Sequence, residues 1–326
     1  MPKERLSRRT FLKNTSAVVT AATLAQNFSL PQSSYAAASP GGRSFGVQTP
    51  PQNVSYSQVQ EVWLEADALG FDSAFAFDHF LPIFSDPSGP CFEGWTLLAA
   101  LAAQTKWMKV GLLVTANTYR NPVVLAKMAA TVDHVSGGRL ILGMGAGWFE
   151  LEHQAYGIPY HTPGGRARRL VEAVELIKML FTQDKTTYDG KYYQIKDAPF
   201  EPKPLQKPHP PILIGGMGTK VVQPLVARHA NIWHFFVGKG GAETIKGITT
   251  RFDAICKQVG RDPAEIQKST SLRPAQLNQS PDKVQALIQA YADAGVQYFI
   301  VSMFPDYDRD ALRRFAKEVM PAFREA

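Results

Sequence analysis

The segment LILGMGAGWFELEH, residues 140–153, decides how the rest of the chain is interpreted. It begins as an apolar run typical of a buried strand, continues with glycines at 143, 145 and 147, and ends in aromatic and acidic residues. Glycine accepts positive φ and lets a backbone approach a ligand without an intervening Cβ. The segment therefore fits either a cofactor contact or a plain turn between a strand and a helix, and its surroundings must decide.

Strand–helix units precede and follow this segment. Strands are predicted at residues 43–48, 71–77, 108–114, 139–143, 211–215, 231–235, 266–272 and 297–301. Helices are predicted after them at residues 57–69, 94–104, 122–134, 166–181, 221–228, 241–259, 281–294 and 309–323. The continuous apolarity of the second strand indicates burial on both faces of a parallel sheet. Successive units of this number favour an α/β fold closed into a (β/α)₈ TIM barrel over an open doubly wound sheet.

One stretch interrupts the alternation after the fourth strand–helix unit. Residues 188–192, YDGKY, are typical of a hairpin, and the prolines at 199, 202, 204 and 208 disfavour regular structure. The composition does not change across it. We therefore expect an insertion within one domain that spans residues 39–326.

The first 38 residues have the pattern of an export signal. Residues 7–13, SRRTFLK, are followed by a small, mildly apolar run at 15–24 and by three alanines at 36–38. This order resembles the twin-arginine signal, and a disordered basic arm is the alternative. Cleavage near Ala38 is expected to leave a mature protein in the periplasm or another extracytoplasmic space. The resemblance implies export of an already folded protein, often one with a bound cofactor.

Composition excludes two classes of protein. The chain is 45% hydrophobic and 19% charged, as in soluble globular proteins, and has no apolar run of about 20 residues for a membrane span after processing. Its formal charge is +7, of which the first 38 residues supply +4 through five basic side chains and one acidic one. The remaining charge gives little support for nucleic-acid binding.

The carboxyl ends of all the strands of such a barrel meet at one mouth, where active sites lie. Asp78 and His79 follow the second strand. His79 is the best candidate for proton transfer because imidazole titrates near neutral pH, and Asp78 could help to set its environment. The alternative is a hydrogen-bonded pair that only anchors the loop.

Other polar motifs at the predicted mouth also have both a functional and a purely structural interpretation. Gly215 and Gly216 follow an apolar strand and precede a helix, so their amides and the positive helix end suit a phosphate, with a bare turn as the alternative. Glu150, Glu152 and His153 lack the paired histidines and third ligand of a metal site, so no metal is expected. Signatures of acyl and phosphoryl transfer are missing from the sequence.

Several motifs taken together resemble one known family. They are FAFDHF at 75–80, NP at 121–122, SGGRL at 136–140, GMGAGW at 143–148 and PPILIGG at 210–216. In this order they resemble the bacterial luciferase-like family and, more narrowly, its deazaflavin-dependent oxidoreductases. The resemblance implies a (β/α)₈ barrel that binds coenzyme F420, or alternatively FMN, at its carboxyl mouth.

The resemblance also implies roles for individual residues. His79 is expected beside the reactive ring, supported by Asp78. Cofactor contacts are expected from Gln48, from Thr115, Ala116 and Asn117 around a backbone bulge, and from Gly145, Ala146, Gly147, Gly215, Gly216 and Met217. In the sugar-phosphate dehydrogenase branch a glutamate follows the strand-four glycines and a tryptophan lies four residues beyond the histidine. Trp148 and Ile83 occupy those positions here, which argues against glucose 6-phosphate as the substrate.

These patterns predict an oxidoreductase that transfers a hydride between the deazaflavin ring and a small organic substrate. An FMN-dependent monooxygenase is the first alternative, and a non-catalytic exported protein that binds a cofactor or solute is the second. Phe80, Trp148, Phe149 and Met217 favour an apolar substrate, although they could equally pack against the cofactor. A homodimer is compatible with the resemblance.

Overall fold

The computed structural model describes residues 42–238, 240–304 and 307–324. Its strands are β1 (Ser44–Gln48), β2 (Ser73–Ala76), β3 (Lys109–Leu112), β4 (Thr115–Ala116), β5 (Leu140–Gly145), β6 (Lys185–Asp189), β7 (Gln194–Pro199), β8 (Ile212–Gly215), β9 (Ile232–His234), β10 (Gln267–Leu272) and β11 (Tyr298–Ser302). The α-helices are α1 (Tyr56–Ala68), α2 (Gly94–Ala102), α3 (Pro122–Val135), α4 (Glu150–Ala155), α5 (Pro163–Thr182), α6 (Val222–His229), α7 (Ala242–Gln258), α8 (Pro274–Leu277), α9 (Pro281–Asp293) and α10 (Arg309–Arg314).

The parallel strands close on themselves. Pairing runs β1–β2–β3–β5–β8–β9–β10–β11, and β11 pairs with β1 in a register that sets Ser44 opposite Tyr298 and Gln48 opposite Ser302. Short β4 pairs only with β5. The closed eight-stranded ring confirms the predicted (β/α)₈ barrel, and the alternative of an open doubly wound sheet is wrong.

Two apolar layers fill the fold. The larger one packs the outer faces of the strands against the helices. The smaller one consists of Phe75, Leu113, Ile141, Leu213, Ile232, Tyr298 and Ile300. Because successive strand residues point to opposite faces, the strand members of this second cluster face the barrel interior. These packed side chains fill the barrel interior below the carboxyl mouth, where a bound ligand can contact them.

The glycines of β5 are required by the neighbouring chain. A Cβ on Gly143 would lie 1.9 Å from the carbonyl oxygen of Leu112, and one on Gly145 would lie 2.6 Å from Val114 Cγ2. The segment between β3 and β4, which contains a cis peptide bond between Leu113 and Val114, passes this close to β5. These two glycines therefore allow a tight backbone approach within the barrel wall.

The insertion is an antiparallel hairpin of β6 and β7. Glu172 of α5 holds its tip, because the carboxylate accepts the backbone N–H groups of Lys191, Tyr192 and Tyr193 at 3.0, 2.7 and 3.2 Å. The hairpin predicted between the fourth and fifth barrel strands is confirmed.

Several details differ from the sequence prediction, among them the short β4 and α8, neither of which was predicted. β5 continues to Gly145, two residues past the predicted end at 143. Residues 150–155 form α4, which was not predicted. The last helix ends at Arg314 and continues as a π-turn (Phe315–Val319) and a 3₁₀ turn (Met320–Phe323), since Pro321 has no N–H to continue an α-helix.

The twin-arginine segment predicted within residues 1–38 lies outside the described residues. Among the helices that the structure describes, none combines the length and apolarity needed to cross a bilayer.

Candidate active site

A cavity of about 550 Å³ opens at the carboxyl ends of the barrel strands. The predicted residues that line it are Gln48, His79, Ala116, Gly145, Ala146, Gly147, Gly215 and Gly216. The structure therefore brings these eight predicted residues together at one mouth. These residues come from β1, β4, β5 and β8 and from the loops that follow β2, β5 and β8, so closure of the barrel is what brings them together.

Three residues predicted to contact the cofactor lie elsewhere. Thr115 and Asn117 are buried, and they flank Ala116, which does line the cavity. Because alternate strand residues point to opposite faces, the exposure of Ala116 to the cavity turns both neighbours away from it. Met217 is 39% exposed and lies outside the cavity lining, and its carbonyl accepts a hydrogen bond from Gln223.

His79 is held by a buried carboxylate that was not predicted to act on it. Its Nδ1 lies 2.7 Å from Glu152 Oε1, and the N–H of Phe80 donates to Glu152 Oε2 at 2.8 Å. Tyr119 also donates its hydroxyl to Glu152 Oε1. Glu152 is fully buried, so this carboxylate fixes both the ring and the backbone of the loop after β2.

Helix α4 places Glu152 there. The neighbouring His153 is also fully buried, with Nδ1 at 2.7 Å from the Phe149 carbonyl and Nε2 at 2.7 Å from Thr118 Oγ1. These contacts anchor the short helix from inside. The sequence suggested only a metal site for Glu152 and His153, which was not expected to form, and no local pattern indicated this helix.

Asp78 has a different role from the one predicted. Its carboxylate forms a bidentate ion pair with Arg120, at 2.5 and 3.0 Å, and accepts a hydrogen bond from Thr115 Oγ1 at 2.7 Å. Arg120 in turn pairs with Glu93. Asp78 is fully buried and absent from the cavity lining. The expected support of His79 by Asp78 is thus corrected: Asp78 anchors the loops after β2 and β4, and Glu152 contacts His79.

Polar residues that sequence analysis missed line the opposite side of the cavity. They are His234 at the end of β9, Ser271 near the end of β10 and Ser302 at the end of β11. His234 Nδ1 lies 2.7 Å from Ser269 Oγ, and its Nε2 lies 3.3 Å from Ser271 Oγ. Burial lowers the pKa of His234 to about 3, so it is neutral near pH 7. Their position at the carboxyl ends of predicted strands was the signal that could have found them.

Aromatic side chains surround the opening. Phe84, Trp148 and Phe236, which we name the aromatic rim, line the cavity with 55%, 58% and 61% of their surfaces exposed. The ring centroid of Trp148 lies 5.8 Å from that of His79. An apolar ligand would cover this exposed surface, and its burial would contribute favourably to binding.

The cavity suits a flat cofactor. One wall, which we name the glycine wall, consists of Gly145, Ala146, Gly147, Gly215 and Gly216. Backbone and small side chains therefore face the cavity on this side. Gly147 and Gly216 have φ of +80° and +133°, which other residues adopt rarely. The amino end of α6 follows Gly216 and favours an anion such as a phosphate. The residues present therefore fit the ring and the phosphate of FMN or F420.

Fold and site together define a TIM barrel with a cofactor-sized mouth. Residues 38–323 match the family model described as luciferase-like monooxygenase. The chain belongs to this family.

Comparisons with individual proteins extend this result. The FMNH(2)-dependent dimethylsulfone monooxygenase of Pseudomonas putida is 33% identical over 163 residues, which cover 50% of this chain and only 43% of that protein. The F420-dependent glucose-6-phosphate dehydrogenase of Microbacterium testaceum is 26% identical over 86% of this chain and 97% of its own length. The solved structure of the coenzyme F420 dependent tetrahydromethanopterin reductase of Methanopyrus kandleri has the same fold, with a TM-score of 0.74, 19% identity, and coverage of 86% and 99% of the two chains.

Proposed function

We propose that this protein is an F420-dependent oxidoreductase that transfers a hydride between the deazaflavin ring and a small organic substrate. One observation carries the proposal: His79, whose Nδ1 faces the buried carboxylate of Glu152, lines the same cavity as the glycine wall. The near full-length similarity to an F420-dependent dehydrogenase supports the choice of cofactor.

The chain's own residues manage the proton. When bound, F420 supplies a ring that takes up or delivers a hydride. Nδ1 of His79 is engaged by Glu152, so Nε2 is the nitrogen through which His79 acts on a ligand. When a substrate hydroxyl becomes a carbonyl, its proton goes to Nε2, and in the reverse direction Nε2 returns that proton. The exposed aromatic rim, which an apolar ligand would cover, supports the proposed apolar character of the substrate.

An FMN-dependent monooxygenase is the alternative, favoured by the similarity of half the chain to such an enzyme. Titration of the purified protein with F420 and with FMN separates the two. We expect binding of F420 and substrate-dependent change in its absorbance without oxygen. Tight binding of FMN, with oxygen consumption and no binding of F420, would overturn the proposal in favour of the monooxygenase.

Replacement of His79 tests catalysis itself. We expect His79→Ala to lower kcat by at least about a hundredfold, the usual contribution of a positioned acid or base, while circular dichroism and F420 affinity stay unchanged. His134→Ala is the matched control, because His134 is exposed on α3 and its contact is to the Lys203 carbonyl. Unchanged turnover in His79→Ala would remove the assigned role, and absence of turnover in the native protein would favour the non-catalytic binding protein.

We also propose export by the twin-arginine route, on the strength of residues 7–38 alone. Cell fractionation of the native chain and of a chain with both Arg8→Lys and Arg9→Lys tests it. Export of both chains, or of neither, contradicts the proposal. The homodimer stays a prediction that light scattering of the purified protein checks.

A further inference from the structure

The two sides of the cavity differ in chemistry. Residues from β5 and β8 and the loops after them give the glycine wall described above. Gln48, His234, Ser271 and Ser302 line the other side from β1, β9, β10 and β11, which are consecutive in the barrel ring. We name these four residues the polar arc. Each ends its strand or lies next to the end, so the arc is continuous around the mouth.

The polar arc offers hydrogen bonds without formal charge. Gln48 donates from Nε2 to the Leu113 carbonyl at 3.0 Å, which leaves Oε1 to accept from a ligand. The Ser271 hydroxyl contacts His234, whose imidazole is neutral because burial lowers its pKa to about 3. The two serine hydroxyls and the Gln48 amide can match a hydroxyl or a carbonyl, since each can donate or accept. His234, whose two ring nitrogens contact Ser269 and Ser271, orients the Ser271 hydroxyl.

Charge is missing from the rest of the lining as well. Among the described residues that line the cavity, none is Lys, Arg, Asp or Glu. A substrate phosphate or carboxylate placed against the polar arc, away from the amino end of α6, would lose its hydration without gaining a cationic partner, which is strongly unfavourable. A neutral oxygen loses much less and regains a hydrogen bond. The polar arc thus discriminates against anionic substrates by desolvation, whereas a cofactor phosphate would lie near the amino end of α6.

The glycine wall and the polar arc lie on different sides of the cavity, so the cofactor ring and the substrate can each occupy one side. A planar ring packs best against a wall of backbone, and Gly145 and Gly215 lie against Val114, another lining residue, on that side. With the ring on that side, the substrate lies between the ring and the arc. His79, on the loop after β2, comes from the strand next to β1 and so lies at one end of the arc.

We propose that the polar arc binds the oxygen of a neutral alcohol or carbonyl substrate and that the uncharged lining excludes phosphorylated and carboxylated ones. This assignment rests on the proposed function, because it names the substrate class for the same site. It makes Ser271 and Ser302 determinants of specificity, with no part in proton transfer.

Two probes that share the same six-membered ring, one neutral and one anionic, test the assignment. Cyclohexanone and 4-oxocyclohexanecarboxylate are titrated by calorimetry into the full chain loaded with oxidised F420. We expect cyclohexanone to bind at least about tenfold more tightly than the anion. Ser271→Ala and Ser302→Ala should each weaken cyclohexanone by about two- to tenfold, the usual effect of one neutral hydrogen bond, without changing F420 affinity. Ser44→Ala, which removes a hydroxyl at the opposite end of β1, should change neither.

Several results would overturn the assignment. One is equal or tighter binding of the anion, and another is failure of the loaded protein to bind either probe. A third is a loss of F420 affinity in the serine variants with unchanged ketone affinity, which would show that the arc holds the cofactor. Failure to bind F420 in any form contradicts the proposed function instead. The same titrations on FMN-loaded protein then decide the role of the arc separately.

Discussion

Glu152 shows how one buried carboxylate can organise a reactive histidine. It accepts from the Phe80 N–H and the Tyr119 hydroxyl and contacts His79 Nδ1. A carboxylate is an acceptor, so it favours the His79 tautomer or charge state in which Nδ1 carries hydrogen. Under the proposed function, Glu152 is therefore a positioning residue that acts on the substrate only through His79.

Replacement of the Glu152 carboxylate by an amide should reduce catalysis while the side chain still fills the same space. We expect Glu152→Gln to lower kcat/KM by about ten- to a hundredfold, part of the contribution of general acid–base catalysis, because glutamine keeps the shape and loses the charge. The ¹⁵N shifts of His79 should show a changed distribution of hydrogen between Nδ1 and Nε2. Glu150→Gln on the same helix, where Glu150 is exposed and contacts Gln154, is the control. Wild-type kcat/KM or unchanged ¹⁵N shifts in folded Glu152→Gln would contradict the positioning role.

At the scale of elements, β5 packs closely against the segment after β3 because the glycines of β5 have no side chain where the two segments meet. Gly145 lies where any Cβ would meet Val114 Cγ2 at 2.6 Å. Its φ is not positive, so crowding alone excludes a side chain there. Gly147 differs, since its φ of +80° adds backbone strain to any substitution.

This contact predicts a pair of coupled substitutions. We expect Gly145→Ala to lower the free energy of unfolding by about 1–3 kcal/mol through overpacking. Adding Val114→Ala removes the clashing methyl groups and should recover part of that loss. Denaturant unfolding of both single variants and the double variant measures the coupling. Gly241→Ala is the control, because its Cβ would meet open space at a φ of −107°, and additive effects at positions 145 and 114 would rule out the contact.

The sequence predicted elements well where burial repeats regularly. Most of the parallel strands are largely apolar because they are covered on both faces, as in β2, β5 and β8, so the eight barrel strands and most helices were found to within a few residues. Helix α4 was missed because it has six residues and buries the polar side chains of Glu152 and His153, which leaves no apolar period. The pairing of Asp78 with Arg120 was equally hidden, since contacts across 42 residues leave no local pattern.

At the scale of the whole molecule, the barrel keeps an imidazole neutral in its interior. His234 has an ordinary pKa of 6.5 when solvated and about 3 in the fold because of burial. Below pH 6.5 the unfolded chain takes up a proton that the folded protein binds only near pH 3. The free energy of unfolding therefore falls as the pH drops through this window, and this contribution is complete above it.

The size of the effect can be measured by difference. Between pH 7 and pH 5, His234 should account for about 2 kcal/mol of lost stability. We expect His234→Gln to show a pH dependence that is smaller by this amount, whatever its absolute stability. His134→Gln, with an exposed imidazole, should keep the wild-type pH dependence. Parallel curves for the wild type and His234→Gln would show that His234 is not held neutral by the fold.

The order of the site residues along the chain has an evolutionary consequence. Everything on the glycine wall, with His79 and Glu152, lies between residues 77 and 216, whereas His234, Ser271 and Ser302 follow later and only Gln48 precedes. A single recombination crossover in the segment between β8 and β9 would exchange most of the groups proposed to recognise substrate and leave the proposed cofactor side intact. Drift or domain shuffling in the last third of the gene can thus generate new specificities while the redox chemistry is conserved, and a chimera joined at residues 217–230 is the natural starting point for directed evolution of this barrel.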